Sequence, residues 1–253
     1  MKLFRILSLF GLFALAFNIN LASANHAWGG YHWARTSNPF TLKLGDNLST
    51  SWDSYLNVAS ADWSQSTVLD TTVVPGSANP KNCKAVSGQV QVCNSRYGNN
   101  GWLGIASIWI SGSHITAGTV KMNDTYFNTS RYNTPAWKQF VVCQEVGHTF
   151  GLDHQDENFD NPNMNTCMDY TSNPSTNQHP NAHDYEELEL IYAHLDSTTT
   201  IGSSILNSRG QEFGEEASDW GRSIRTSSDG KPSLFVKDLG NGNAVITHII
   251  WAQ

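Results

Sequence analysis

Phe40, Leu42 and Leu44 alternate with polar residues and stop at Gly45-Asp46-Asn47, the two-residue period of a short strand that ends in a turn. Trp52, Tyr55, Leu56, Ala59 and Trp63 then recur at spacings of three and four, which predicts an amphipathic helix. The stretch 67–74 is rich in β-branched residues and 88–93 alternates Val with Gln, so both read as strands. Leu103, Ile105, Ile108 and Ile110 mark another strand over 101–110, and 120–127 is expected to be the next. Thr134-Pro135, an N-cap residue followed by proline at the first helical position, announces a second helix. It should run through Trp137, Phe140 and Val141 to about Phe150, with Gly151 placed to end it. Residues 153–179 are polar, Asn-rich and loop-like. A third helix is predicted over 184–195, with Tyr185, Leu188, Ile191, Tyr192 and Leu195 on one face. Beyond a Thr-rich run at 197–202, the turn signals Asp229-Gly230 and Asn241-Gly242 separate segments 220–226, 234–238 and 244–251. These predict an antiparallel meander.

The extreme N-terminus follows a different pattern. Lys2 and Arg5 precede an apolar run from Ile6 to Phe17, and Ala22-Ser23-Ala24 forms a small-residue cleavage site, so residues 1–24 read as a signal peptide. The run is short for a membrane span and no second one follows, which predicts an exported protein with no membrane association after cleavage. Export makes the four cysteines, Cys83, Cys93, Cys143 and Cys167, candidates for two disulfides with three possible pairings. Asn47, Asn123 and Asn128 each begin a glycosylation sequon.

Of the 253 residues, 39% are apolar and nine are Trp, enough for a sizeable core, so disorder is not expected. The formal net charge is −7 with no basic stripe, and removal of Lys2 and Arg5 makes the mature chain more acidic still. Phosphate neutralisation of a nucleic acid is therefore excluded as a mode of action.

The chemistry concentrates in Gln144-Glu145-Val146-Gly147-His148-Thr149-Phe150-Gly151-Leu152-Asp153-His154. Residues 144 and 148 lie one helical turn apart and share a face, Glu145 sits beside them, and Gly151 lets the chain turn so that His154 can swing back. Such a set can hold a tetrahedral zinc with one open position and a carboxylate next to it. His26, His32, His114, His194 and His248 are scattered, and each is expected to be a surface or packing residue.

The segment resembles the signature of the metzincin zinc endopeptidases (matrixin and astacin-like catalytic domains), H-E-x-x-H-x-x-G-x-x-H followed by a Met-turn. Thr166-Cys167-Met168-Asp169-Tyr170 has the look of that turn, and the likeness covers roughly residues 40–196. It implies an α+β fold: a twisted mixed sheet, an active-site helix and a C-terminal helix, to which this chain adds the small antiparallel meander. The domain division that follows is a catalytic domain over 25–196, a linker over 197–217 and the meander over 218–253. Because the family's Met-turn lies beneath the metal-binding helix, the resemblance implies the pairings Cys143–Cys167 and Cys83–Cys93. No cysteine lies between the cleavage site and Cys83, so a thiolate-plugged latent form is not supported.

One departure bears on the chemistry. Gln144 stands where the family has its first histidine. Its carboxamide oxygen can still ligate zinc, a neighbour such as Asp153, Asp156, His179 or His183 can take the position, or the fold can lack the metal. By the resemblance, zinc would be held by His148, His154 and Gln144, and Glu145 would act as general base on the attacking water. Tyr170 would stabilise the oxyanion, and Met168 would form a hydrophobic base. An extended peptide substrate would add to an edge strand, for which 101–110 is the candidate. The activity so implied is that of a secreted, monomeric zinc endopeptidase; the rival is a catalytically inactive extracellular binding protein of the same fold.

Overall fold

The computed structural model describes residues 26–203 and 214–253. The signal-peptide stretch 1–24 and most of the second half of the 197–217 linker lie outside the described residues. Nine strands form one twisted mixed sheet: β1 (His32–Trp33), β2 (Phe40–Asn47), β3 (Leu69–Pro75), β4 (Val90–Ser95), β5 (Trp102–Ser111), β6 (His114–Asn123), β7 (Arg222–Thr226), β8 (Pro232–Gly240) and β9 (Asn243–Trp251). Four helices accompany them: α1 (Asp53–Trp63), α2 (Asp124–Phe127), α3 (Pro135–His148) and α4 (Ala182–Ile191). Spatial order is β3-β2-β4-β6-β5-β9-β8-β7, with β1 beside β6. The strands from β3 to β6 run parallel, and the pairs β6–β5, β5–β9, β9–β8 and β8–β7 are antiparallel.

Most predicted elements appear within a residue or two of their expected limits. The expected strand over 120–127 is displaced: β6 begins at His114, and Asp124–Phe127 is one helical turn. Asn123 makes the switch, because its side chain accepts from the Thr125 N–H and caps that turn. Asn123 and Asn47 are also buried, and their amide groups serve the fold: Asn123 Nδ2 donates to Gly98 O and Asn47 Nδ2 to Gln91 Oε1. Of the three sequons, only Asn128 presents an exposed side chain.

The meander is an extension of the main sheet. β9 pairs with β5 from Trp102↔Trp251 to Ser111↔Asn243, so β5 is a central strand with partners on both sides. This corrects the expectation that 101–110 is a free edge for substrate. The continuous burial of β5 has the same cause. Ile108 and Ile110 face a core shared with α1 and α3, while Ile105 and Trp109 face a second cluster with Trp220, Phe235, Val245 and Ile249.

Helix α3 starts as predicted, with the Thr134 hydroxyl accepting from the Trp137 N–H and Pro135 in the first turn. It lies close against β5 at Gly104, where a Cβ would come within 2.5 Å of Glu145 Oε1 and 2.7 Å of Val141 Cγ1. At its far end Gly151 takes φ +97°, a left-handed conformation that reverses the chain. Cys143 and Cys167 form one disulfide, which ties α3 to the Met-turn, and Cys83 and Cys93 form the other.

The α3 disulfide closes a loop with a sequence separation of 24. Replacing both Cys143 and Cys167 by Ala is therefore expected to lower unfolding stability by about 3 kcal/mol through the released chain entropy. Urea unfolding of the double variant beside the parent measures this directly, and an unchanged midpoint would contradict it.

Candidate metal centre

His148 closes α3, and the turn at Gly151 brings Leu152 O within 2.9 Å of its Nδ1. His154 lies on the returning chain, with its Nδ1 3.0 Å from Glu157 Oε1. Each Nδ1 thus donates its proton to an oxygen, so each Nε2 carries a lone pair. The two Nε2 atoms face each other at 2.9 Å. Two lone pairs at that distance repel unless a proton or a cation lies between them. A shared proton requires an imidazolium, and burial pushes His148 well below its ordinary pKa, helped by His248 and His154. A metal ion satisfies both nitrogens without that penalty.

Helix α3 supplies two further groups. Gln144 donates from Nε2 to Cys167 O at 2.8 Å, so the residue beside Met168 fixes its amide and leaves Oε1 as the free atom. That oxygen is buried and unpartnered among the described residues. Glu145 is equally buried, and neither carboxylate oxygen has a partner among the described residues. Burial alone raises its pKa well above the usual carboxylate range. The two facing imidazole nitrogens fit a divalent metal, and the orphaned carboxamide oxygen and carboxylate lie on the same helix as His148.

A third imidazole arrives from outside the motif. His248 pairs in register with Ala106 of β5 and, like Ile246 and Ile250, faces the helix side of the sheet. Its ring nitrogens belong to a buried group with those of His148 and His154, all within 4.8 Å of one another. His248 was expected to be a packing or surface residue; the placement of β9 against β5 brings it into the centre instead. An ion bound along two imidazole lone pairs lies in both ring planes. His154 stands at 89° to His148 and 87° to His248, which meets that condition. His148 and His248 are parallel, with centroids 4.0 Å apart, so His248 must rotate its ring to share an ion with both. Trp28 also stacks on His248, at 4.1 Å.

The other candidates for the position vacated at Gln144 lie elsewhere. His179 is exposed and bonded to Asp62, and His183 sits beside Glu186. Asp156 accepts from the Asn158 N–H. Asp153 approaches His154 from the Nδ1 side, at 3.8 Å. It forms a two-point ion pair with Arg225 of β7, at 2.6 and 2.5 Å, and stands 3.4 Å from His248 Nε2 without the alignment of a hydrogen bond. The same guanidinium reaches Glu157 at 3.1 Å. Burial works against both carboxylates, but His248 and Arg225 carry Asp153 far below its ordinary pKa. His154, His248 and Arg225 bring Glu157 down to about 2. His248 falls to about 4, lowered by burial and by His154 against the pull of Asp153. Tyr170 packs against His154 with ring centroids 4.3 Å apart and planes tilted by 55°, and its hydroxyl donates to Ile249 O of β9 at 3.2 Å. Burial, with Glu157 and Glu145 nearby, raises its pKa well above 10. Met168 is buried directly beyond the Cys143–Cys167 disulfide.

No protein-family model and no curated protein matches the chain. Among solved structures it is similar to myroilysin, with 12% identity, 64% of this chain and 96% of that one covered, and a TM-score of 0.37. A second crystal structure of myroilysin gives 13%, 69%, 97% and 0.36 for the same quantities. High choriolytic enzyme 1, a hatching enzyme zinc-protease from Oryzias latipes (medaka fish), gives 9%, 64%, 94% and 0.35. At such scores these likenesses establish neither activity nor ligands, which the residues of the centre must decide.

Arg225 is one tie between the meander and the loop that carries His154, beside the Ser228 and Ser233 hydroxyls that donate to Glu157. Its side chain is 38% exposed, so the pair with Asp153 is worth less than a fully buried one. Arg225→Ala is expected to cost about 1–2 kcal/mol in chemical denaturation. An equal loss in Arg225→Lys would show that the two-point geometry matters, since Lys keeps the charge alone.

Proposed function

We propose that the chain is a secreted zinc-dependent endopeptidase whose centre is closed by its own C-terminal strand. The observation that carries this reading is the facing Nε2 pair of His148 and His154, with the unpartnered Glu145 on the same helix as His148. Zinc, when bound, supplies a Lewis acid and lowers the pKa of water within its reach. His148 and His154 hold it, with His248 as third donor while β9 is in place and Gln144 Oε1 when β9 is displaced. Glu145 accepts a proton from the attacking water and passes it to the leaving amine; burial gives it the raised proton affinity this task needs near neutral pH. Tyr170, once free of Ile249 O, donates to the developing oxyanion.

The substrate in this reading is an extended peptide that forms a main-chain ladder with β5, the edge that β9 now covers. The two disulfides support an oxidising, extracellular location, and no helix among the described residues is long and apolar enough to cross a membrane. One observation favours the rival reading of a non-catalytic binding protein. His148, His154 and His248 with Gln144 can fill four positions, and a filled shell is the mark of a structural site.

Metal content and cleavage of a quenched peptide library separate the two readings. The endopeptidase predicts that His248→Ala keeps its zinc at this centre and gains hydrolysis over the parent. Adding Glu145→Ala to that variant should then reduce hydrolysis on the order of a hundredfold with the metal retained. Zinc binding with no cleavage by parent or His248→Ala would establish the binding protein. A parent chain that takes up no zinc at His148 and His154 would exclude the endopeptidase and leave the binding protein.

A further inference from the structure

We propose a second zinc site, formed by His32, His114, His194 and Asp196 at the end of the sheet near the start of β6. The proposal is independent of the α3 centre. Three chain segments converge there, and each is held in place. Parallel pairing of β1 with β6 sets His32 and His114 side by side in register. Arg35, three residues beyond His32, draws in the segment after α4: its backbone N–H and Nη1 both donate to Asp196 Oδ2, and Nη2 donates to Tyr192 O and His194 O. Asp196 N–H returns a bond to Arg35 O at 2.9 Å. The clamp occupies Oδ2 of Asp196 and leaves Oδ1 turned to the histidines.

The atoms that meet are those a metal would use. His32 Nδ1 lies 2.8 Å from Gly30 O, which fixes its proton there and directs a lone pair from Nε2 into the cluster. His32 Nε2 is 3.1 Å from His194 Nε2 and 3.5 Å from Asp196 Oδ1. Asp196 Oδ1 is 3.1 Å from His114 Nε2 and 3.8 Å from His194 Nε2. Metal–ligand distances of about 2.0–2.1 Å in a tetrahedron put neighbouring donors about 3.3 Å apart. These four of the six donor pairs span that value, and His32, His114 and Asp196 all offer ligand atoms within 4.8 Å of one another. The His32 ring stands edge-on to both partners, at 86° to His114 and 86° to His194, so ring planes cross as a shared ion requires. Three imidazoles and one carboxylate oxygen suit zinc over the harder magnesium or calcium; His32, His114 and Asp196 form the compact part of the set, and His194, with an exposed ring, completes it by turning toward His114. The side chain of His32 is buried, whereas those of His114 and His194 are 37% and 54% exposed, which gives the ion an entry from solvent. Bound there, it would join β1, β6 and the chain leaving α4.

The test uses the mature full chain carrying His148→Ala, which disables the α3 centre. This variant should bind one zinc per chain by elemental analysis after dialysis against zinc-containing buffer at pH 8. Saturating zinc should raise its thermal midpoint by about 5 °C. Adding His114→Gln, at a partly exposed side chain that can change without disturbing the core, should weaken zinc binding at least tenfold and abolish that rise. Adding His32→Gln should do the same. If the cluster is only an imidazole–carboxylate hydrogen-bond network, His148→Ala will hold no zinc. Unchanged zinc affinity in both added variants would likewise overturn the site.

Discussion

Two imidazole nitrogens that have nowhere to turn except toward each other govern the centre of this molecule. Leu152 O and Glu157 Oε1 fix the outer nitrogens of His148 and His154, so the inner lone pairs converge whatever else the fold does. Everything around them is arranged to keep that convergence rigid. Gly151 reverses the chain within a few residues of His148, and Gly104 lets α3 sit against β5. The Cys143–Cys167 disulfide then locks the helix to the Met-turn. The free-energy cost of burying unpaired polar groups is large, and a bound cation is one way to offset it at this density.

The second constraint is the addition of β9 to β5. A strand edge beside a metal centre is a natural place for an extended peptide, and here the chain fills it with its own last strand. That strand also brings three contacts that an added peptide ladder alone would not supply. His248 joins the cluster of His148 and His154, Ile249 O holds the Tyr170 hydroxyl, and, through β7 in the same meander, Arg225 pairs with Asp153 and Glu157. The ladder acts on β5 and the ring and ion pair act on residues 148–157, so removing one leaves the others in place.

Elements whose signals are local were legible in the sequence. Alternation marked β2, periodicity marked α1, and the Thr134-Pro135 pair marked the start of α3 to the residue. The motif residues on α3 and its return loop were legible because their spacing within a helical turn already fixes their meeting. The role of His248 was not, since it depends on which strand β9 pairs with, and nothing in 244–251 records a partner. One trace existed: His248 interrupts the apolar parity of Ile246 and Ile250 in a strand whose burial demands an apolar residue there. His32, His114 and His194 were illegible for the same reason, because parallel register and the Arg35 clamp join residues far apart in sequence. β6 was misplaced at its end because Asn123 converts a strand into a capped turn, a choice that its side chain makes and that β propensity does not record.

Gln144 draws these strands of argument together. A histidine at that position would present one ring with two nitrogens, one for the metal and one for an anchor. A glutamine divides the same two tasks between a donor amide and an acceptor oxygen, and it cannot be protonated. Its amide already holds Cys167 O, so the residue keeps the Met-turn in place whether or not its oxygen ligates. The imidazole absent from the helix is matched by one present on β9, carried by the strand that pairs with β5. Ligand replacement and edge closure are, under the proposed function, a single structural event, because displacing β9 would both uncover β5 and carry His248 away from His148 and His154. Under the proposed function, that coupling links access to the centre with the electron-poor metal that only the glutamine-ligated state would hold.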